Sequence, residues 1–329
     1  MKRMRLVIVA LVAIGMLASL PALSGAGEKR ISIAGGTIGG SLYIITTGMA
    51  KVISAHVPGV SAAGQASDVN ANIGHVNKGD IEMGGTQPVG LRWAWDGAKY
   101  MKHFGQTRNV RLFLPGPTSA VYFLVLPNSP IKSLADIKGK TISMGGALSS
   151  SELIEELLKQ YGLELGKDYT GKRMGHQAGV DALKDGTLDL ASPIGAIPSP
   201  AAMDAMTTKK ARLIEVDADR MAKLTKDNPY WFPITIPKGA LPNMDRDVRT
   251  IALFDLFIVH KDLPEDLVYK MAKTLVERVD EVEKVHPGAS CFRFENIKQM
   301  IANNQFQAGD VPLHPGVARY FAERGLKVK

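Results

Sequence analysis

Apolar positions along this chain recur at two spacings, and each spacing predicts an element. Ile31-Ser32-Ile33-Ala34 reads as a short buried strand, and the glycine-rich turn Gly35-Gly36-Thr37-Ile38-Gly39-Gly40 follows it directly. Beyond the turn, Leu42, Ile45, Met49, Val52 and Ile53 fall at three- and four-residue intervals, which makes one helical face apolar. Pro58-Gly59 ends that helix. A weaker helical pattern covers 72–77, and Ile81-Glu82-Met83-Gly84 reads as the next strand. The runs 110–114 and 121–126 are strand-like and are separated by Pro115-Gly116-Pro117. A helical turn at 134–138 precedes a strand at 141–144.

Ser149-Ser150-Ser151-Glu152 opens the best-specified helix, because Ser149 can cap it while Glu152 reaches back in a capping box. Leu153, Ile154, Leu157, Leu158 and Tyr161 form its buried face, and Gly162 suits its C-terminal stop. A short helix at 180–184 and a strand at 188–191 follow, then a turn rich in proline (Pro193, Pro198, Pro200). Residues 203–210 read helical, 212–216 as a strand, and 251–259 as a long apolar strand interrupted by Asp255. Asp262-Leu263-Pro264-Glu265 then starts a long helix carrying Leu267, Met271, Leu275, Val276 and Val279. Strands alternating with helices imply α/β layers with mostly parallel sheets.

The first 26 residues follow a different pattern. Lys2, Arg3 and Arg5 precede an unbroken apolar run over 6–20, Pro21 ends it, and Ser24-Gly25-Ala26 offers small residues for cleavage. That run is shorter than the roughly 20 residues of a membrane-spanning helix. It reads as an export signal, with a retained anchor as the alternative. The 329 residues carry a formal charge of +8, of which those three basic residues supply three. A length beyond the usual single domain predicts two lobes, and 45% hydrophobic residues suffice for real cores. The lone cysteine, Cys291, excludes an internal disulfide and a cysteine-rich zinc site. No basic run with interleaved aromatics points to nucleic acid.

The strand, glycine turn and helix over 31–55 carry the strongest chemical signal. Glycines let backbone approach a ligand, and a helix start presents unpaired N–H groups and partial positive charge, which suits a carboxylate or phosphate. A tight turn with no ligand is the plain alternative. Thr37 stands where a dinucleotide fingerprint needs its middle glycine, and residues 53–56 lack the ribose-binding acid. Ser41 stands where a phosphate loop needs lysine. The start at Ser149–Ser151 repeats the same physics with hydroxyls, and the two junctions could face each other across a cleft.

Other motifs fail. Asp68-Val69-Asn70-Ala71-Asn72 begins like a calcium loop, but Ile73 replaces its glycine and Gly79 its glutamate. The seven histidines show no metal spacing, and no Gly-x-Ser-x-Gly elbow supplies a nucleophile. Trp93 and Trp95 read as packing residues. No catalytic set, metal site or cofactor is indicated.

Several segments in fixed order carry a resemblance: Gly36-Thr37-Ile38-Gly39-Gly40-Ser41-Leu42-Tyr43, then 72–81, Ile131-Lys132-Ser133-Leu134-Ala135-Asp136-Ile137-Lys138-Gly139-Lys140, and Ala182-Leu183-Lys184-Asp185-Gly186-Thr187-Leu188-Asp189. Phe232-Pro233-Ile234-Thr235-Ile236-Pro237 and Leu313-His314-Pro315-Gly316-Val317-Ala318-Arg319-Tyr320 complete it. Over nearly all of the mature chain this order resembles the TAXI family, the extracytoplasmic solute-binding proteins of TRAP transporters. The resemblance implies a two-lobed α/β periplasmic-binding-protein fold with a hinge and a central cleft. Lobe one would comprise 27–127 and 233–329, and lobe two 128–232.

It further implies a monomeric periplasmic protein without enzyme activity or cofactor, which passes a small anionic solute, a carboxylate or an amino acid, to a TRAP membrane permease. By motif position Gly36, Thr37, Gly39, Gly40 and Tyr43 would line the cleft. So would Thr86, Gln87, Ser149, Ser150, Ser151, Gly195, Ala196, Ile197 and Pro198. Two positions depart from the family pattern: Leu42 stands where a second aromatic is usual, and Leu148-Ser149-Ser150-Ser151 replaces Gly-Ser-Gly-Thr. A ligand-sensing receptor subunit and an exported enzyme on the same fold are the alternatives.

Overall fold

The computed structural model describes residues 28–146, 150–228 and 230–328. The expected export signal at 1–26, Ser149 and the side chain of Ser150 lie outside the described residues.

The chain opens with β1 (Lys29–Ala34), α1 (Ser41–His56), β2 (Val60–Gln65), α2 (Ala71–Lys78), β3 (Met83–Thr86) and α3 (Pro88–Asp96). As the spacing predicts, α1 buries Leu42, Ile45, Met49, Val52 and Ile53, each worth about 1.5–3 kcal/mol when fully removed from water. Buried Asn72 on α2 fixes the ends of two strands: its Nδ2 donates to the carbonyls of Gly35 at 2.9 Å and Gly85 at 2.8 Å. The glycine turn therefore leaves β1 from an anchored base.

Two long strands dominate the remainder of the chain. β4 (Val110–Val121) leads through β5 (Phe123–Val125), β6 (Thr141–Ser143), α4 (Ser150–Lys159), β7 (Thr170–Lys172) and α5 (His176–Lys184). Next come β8 (Ile194–Gly195), α6 (Pro200–Thr208), β9 (Arg212–Ile214), α7 (Ala218–Asp227) and β10 (Trp231–Ile236). β11 (Val248–His260) returns the chain to α8 (Glu265–Glu277), α9 (Val279–Glu283), α10 (Phe294–Ala302) and α11 (Pro315–Glu323). One buried core draws on residues 31–114 and 256–321, and two smaller cores draw on 120–253. β4 and β11 each begin in one set of cores and end in the other.

The main sheet runs β2-β1-β3-β11-β4-β8, with β10 also paired to β11. It is mixed, which corrects the expectation of mostly parallel sheets: β1 is parallel to β2 and β3, whereas β11 is antiparallel to β3, β4 and β10. The cause is topological. The chain leaves along β4 and returns along β11, so the pair at the centre must run in opposite directions.

Pro115-Gly116-Pro117 does not divide two strands either; β4 passes through it. Proline removes a ladder donor, and register shifts in β11 between Phe254 and Leu256 and between Leu256 and Ile258 absorb the mismatch. Gly116 is required there, because a Cβ would lie 2.7 Å from the carbonyl carbon of Asp255. The strand expected at 188–191 is reduced to single bridges at Leu190 and Ala191. Among the described residues no helix is long and apolar enough to cross a membrane.

Candidate functional site

The glycine turn packs against segments that belong to the cores on the far side of β4 and β11. Among the described residues, four hydrogen bonds join them. The N–H of His176 donates to Thr37 Oγ1 at 3.2 Å, and the N–H of Ala196 donates to Ser41 Oγ at 2.6 Å. The N–H groups of Gln177 and Ala201 donate to the carbonyls of Ile38 and Gly39, each at 3.2 Å. The turn's carbonyls thus satisfy first-turn donors of α5 and α6, groups that a helix leaves without intrahelical partners. Gly39 has φ +85°, and a Cβ there would lie 2.9 Å from Gln177. Only glycine combines that backbone conformation with so close an approach.

Behind this contact lies a small cavity of about 30 Å³. Gly36, Thr37, Gly40, Ser41 and Leu42 form one wall, and Gly146, His176, Ile194 and Gly195 the opposite one. Ser119 of β4 and Asp255 of β11 meet it, and Asp68, Val69 and Gln87 complete it. A water needs about 10–15 Å³ of such space, so the cavity holds one functional group or two waters. Nothing larger fits the cavity as it stands.

The donors in this cavity are neutral. Gly40 caps α1 with no side-chain bond to the helix, so the first-turn N–H groups and the positive end of a 16-residue helix face it. Among the described lining residues there is no lysine or arginine. His176 is packed against the turn, where a Gly40 Cβ would lie 3.1 Å from its Cδ2, and desolvation lowers its pKa to about 4. Its Nδ1 accepts from the Ile194 N–H at 3.4 Å, which places the ring proton of the neutral form on Nε2.

Two carboxyl groups join them. Asp255 is 2% exposed, and burial raises its pKa to about 7, opposed by a 2.5 Å hydrogen bond from Ser119 Oγ. Asp68 Oδ1 accepts from the N–H groups of Asn70 at 3.0 Å and Ala71 at 3.4 Å, at the start of α2.

Of the residues expected in the site, Gly36, Thr37, Gly40, Gln87 and Gly195 line this cavity. Gly39 holds the interlobe contact beside it. Ala196 and Ile197 line a separate cavity of about 400 Å³ behind the hinge, with Gly116 and Cys291. The peptide before Pro198 is cis, and the Pro198 carbonyl accepts from His286 Nε2 at 3.0 Å. Tyr43 is half-buried, and its carbonyl accepts from the hydroxyls of Thr46 and Thr47. Thr86 is fully buried and donates to Asn70 Oδ1 at 3.3 Å. Ser151 is fully buried beside Glu152.

Sequence reasoning placed none of Asp68, Ser119, His176 and Asp255 in the site. Asp255 had a local signal as the acid interrupting an apolar strand, and Asp68 as the start of the rejected calcium-loop motif; Ser119 and His176 had none. Among the described residues no group of three or more histidine, cysteine, aspartate or glutamate side chains is placed to hold a metal ion.

A model described as the NMT1-like family matches residues 33–325. Among solved structures, the alkanesulfonate-binding protein SsuA from Xanthomonas axonopodis pv. citri, bound to MOPS, is similar with a TM-score of 0.50 and 16% identity, covering 90% of this chain and 84% of that one. A second, described as a periplasmic transporter, has a TM-score of 0.53 and 12% identity, covering 86% and 99%. At such identities the likeness is one of fold. The fold is that of the periplasmic binding proteins, two α/β lobes about a hinge.

Proposed function

We propose that this chain, which belongs to the NMT1-like family, is the extracytoplasmic solute-binding subunit of a TRAP-type transporter, a reading supported by the order of its motifs, which resembles that of the TAXI family. It captures a small carboxylate or amino acid between its lobes and delivers it to a membrane permease. In this reading residues 1–26 are a cleaved export signal, and the mature protein is a periplasmic monomer with neither cofactor nor catalytic activity. It has two lobes, one drawn from both ends of the mature chain and the other from its middle, joined by two crossings. The division of the cores between Leu114 and Ala120 and between Leu253 and Leu256 supports two crossings, the second of them inside β11.

One observation carries the reading. The glycine turn, the start of α1 and the segments at 176–177 and 194–201 enclose a single cavity whose donors are backbone N–H groups and neutral side chains. A charge-assisted hydrogen bond contributes roughly 1.5–3 kcal/mol, so a few of them orient a carboxylate without a fixed cation. Desolvation and lobe closure oppose part of that gain. The solute favours the closed form by binding it better than the open one.

The exported-enzyme reading draws on Asp255 and His176, which share this cavity. Their hydrogen bonds run to Ser119 and to the Ile194 N–H, not to each other. A Ser–His–Asp relay needs the imidazole between hydroxyl and carboxylate, and here Ser119 meets the carboxyl directly. Mass spectrometry of the molecule that co-purifies with the native protein, followed by calorimetry against small acids and amino acids, tests the proposal. One unchanged acid per protein is the expected result. Binding confined to neutral or cationic compounds rejects the carboxylate, and turnover of the bound compound rejects the binding-protein reading.

A further inference from the structure

A second chamber of about 570 Å³ lies between the lobes, walled by Trp93 and Lys102 on one side and by Glu152, Glu156 and Trp231 on the other. Two of its polar atoms are buried without a hydrogen-bond partner among the described residues: Glu152 Oε2 and Trp231 Nε1. Their residues are 8% and 4% exposed. A buried polar atom left unpaired costs about 1–3 kcal/mol, and these two need opposite things. Glu152 needs a donor and the indole N–H needs an acceptor. Glu156 is already matched by Lys159 at 2.9 Å, whereas Glu152, its carboxyl bonded by Ser151 and its charge eased by Arg173, still has Oε2 without a donor among the described residues. Lys102 on the facing wall is exposed, where solvent screens it.

The chamber and the amide-lined cavity share no lining residue but lie within one short helix of each other. Glu152 feels the charge of Asp68, which lines the smaller cavity. α3 also runs from Gln87, its N-cap at that cavity, to Trp93 in the chamber wall. Six residues of helix span about 9 Å.

We propose, building on the solute-binding reading above, that the solute site continues into this chamber and takes a short peptide of two or three residues. The C-terminal carboxylate sits at the start of α1, the N-terminal ammonium donates to Glu152, and a peptide carbonyl accepts from Trp231 Nε1. Two or three extended residues span about 7–10 Å, which matches the separation along α3. A free α-amino acid is too short to reach both ends.

Calorimetric titration of the mature protein with triglycine, N-acetyl-triglycine and succinate tests this. Triglycine binds about tenfold or more tightly than its acetylated form, the weight of one charge-assisted hydrogen bond. Glu152→Gln removes that difference while leaving N-acetyl-triglycine unchanged, and Trp231→Phe weakens both peptides. Equal binding of the two peptides to the wild-type protein overturns the inference and requires no variant. Binding of succinate alone overturns it and leaves the solute-binding reading standing; silence from all three also overturns it and leaves that reading to the co-purification test above.

Discussion

Replacing Gly39 by alanine separates lobe closure from folding. The residue has φ +85°, and its missing Cβ would lie 2.9 Å from both Cβ and N of Gln177, on the opposite lobe. Two costs follow. A left-handed backbone conformation costs a residue with a Cβ roughly 1–2 kcal/mol, and this applies whether the lobes are open or closed. The clash exists only when they are closed, and overpacking of this kind costs about 1–3 kcal/mol. It also strains the hydrogen bond from the Gln177 N–H to the Ile38 carbonyl.

Gly166→Ala isolates the first cost, because Gly166 has φ +81° and nothing lies within 4 Å of where its Cβ would stand. Both variants should lose a few degrees of melting temperature by a similar amount. Only Gly39→Ala should lower the closed-to-open ratio, by about 5–150-fold for 1–3 kcal/mol. Small-angle scattering with and without the co-purified solute measures that ratio through the radius of gyration, and calorimetry measures the matching loss of affinity. If the two variants scatter alike and bind alike, the turn does not govern closure.

The buried hinge carboxyl makes stability depend on pH. Asp255 titrates near 7 in the folded chain and near 3.9 when unfolded. Between those values the unfolded chain releases a proton that the native protein keeps. Stability is therefore complete below about pH 4 and falls as pH rises through 7, by on the order of 4 kcal/mol. Asp255→Asn should flatten this slope in urea titrations at pH 5 and pH 8, and parallel profiles for the two proteins would contradict the assignment. Gly116→Ala should lower the urea midpoint, since the new Cβ meets Asp255 backbone at 2.7–2.8 Å and can be relieved only by parting β4 from β11, at about 1–3 kcal/mol. An unchanged midpoint would show that the hinge strands yield freely.

How much of the site was legible depends on the range of the forces involved. The glycine turn declares itself because strand, turn and helix are contiguous, and the three- and four-residue spacing of Leu42, Ile45 and Met49 fixes which face of α1 is buried. Pro115-Gly116-Pro117 misled because proline removes a local donor, while the shifted register of β11 that accommodates it lies more than 130 residues further along the chain. His176 gave no local signal at all. Its depressed pKa comes from burial, with Gly40 of the distant glycine turn packed against its ring.

The sequence by itself determined the elements, the apolar face of each helix, and the presence of an amide-rich turn suited to an anion. Those properties depend on neighbours within a few residues, where helix and strand periodicity operates. Tertiary structure alone decided what that turn faces. It brought Asp68, Ser119, His176 and Asp255 to one cavity and set Glu152 and Trp231 in another, because β4 and β11 carry the chain between two cores in opposite directions. Burial and pairing of those groups depend on atoms from distant parts of the chain, and no local pattern records them.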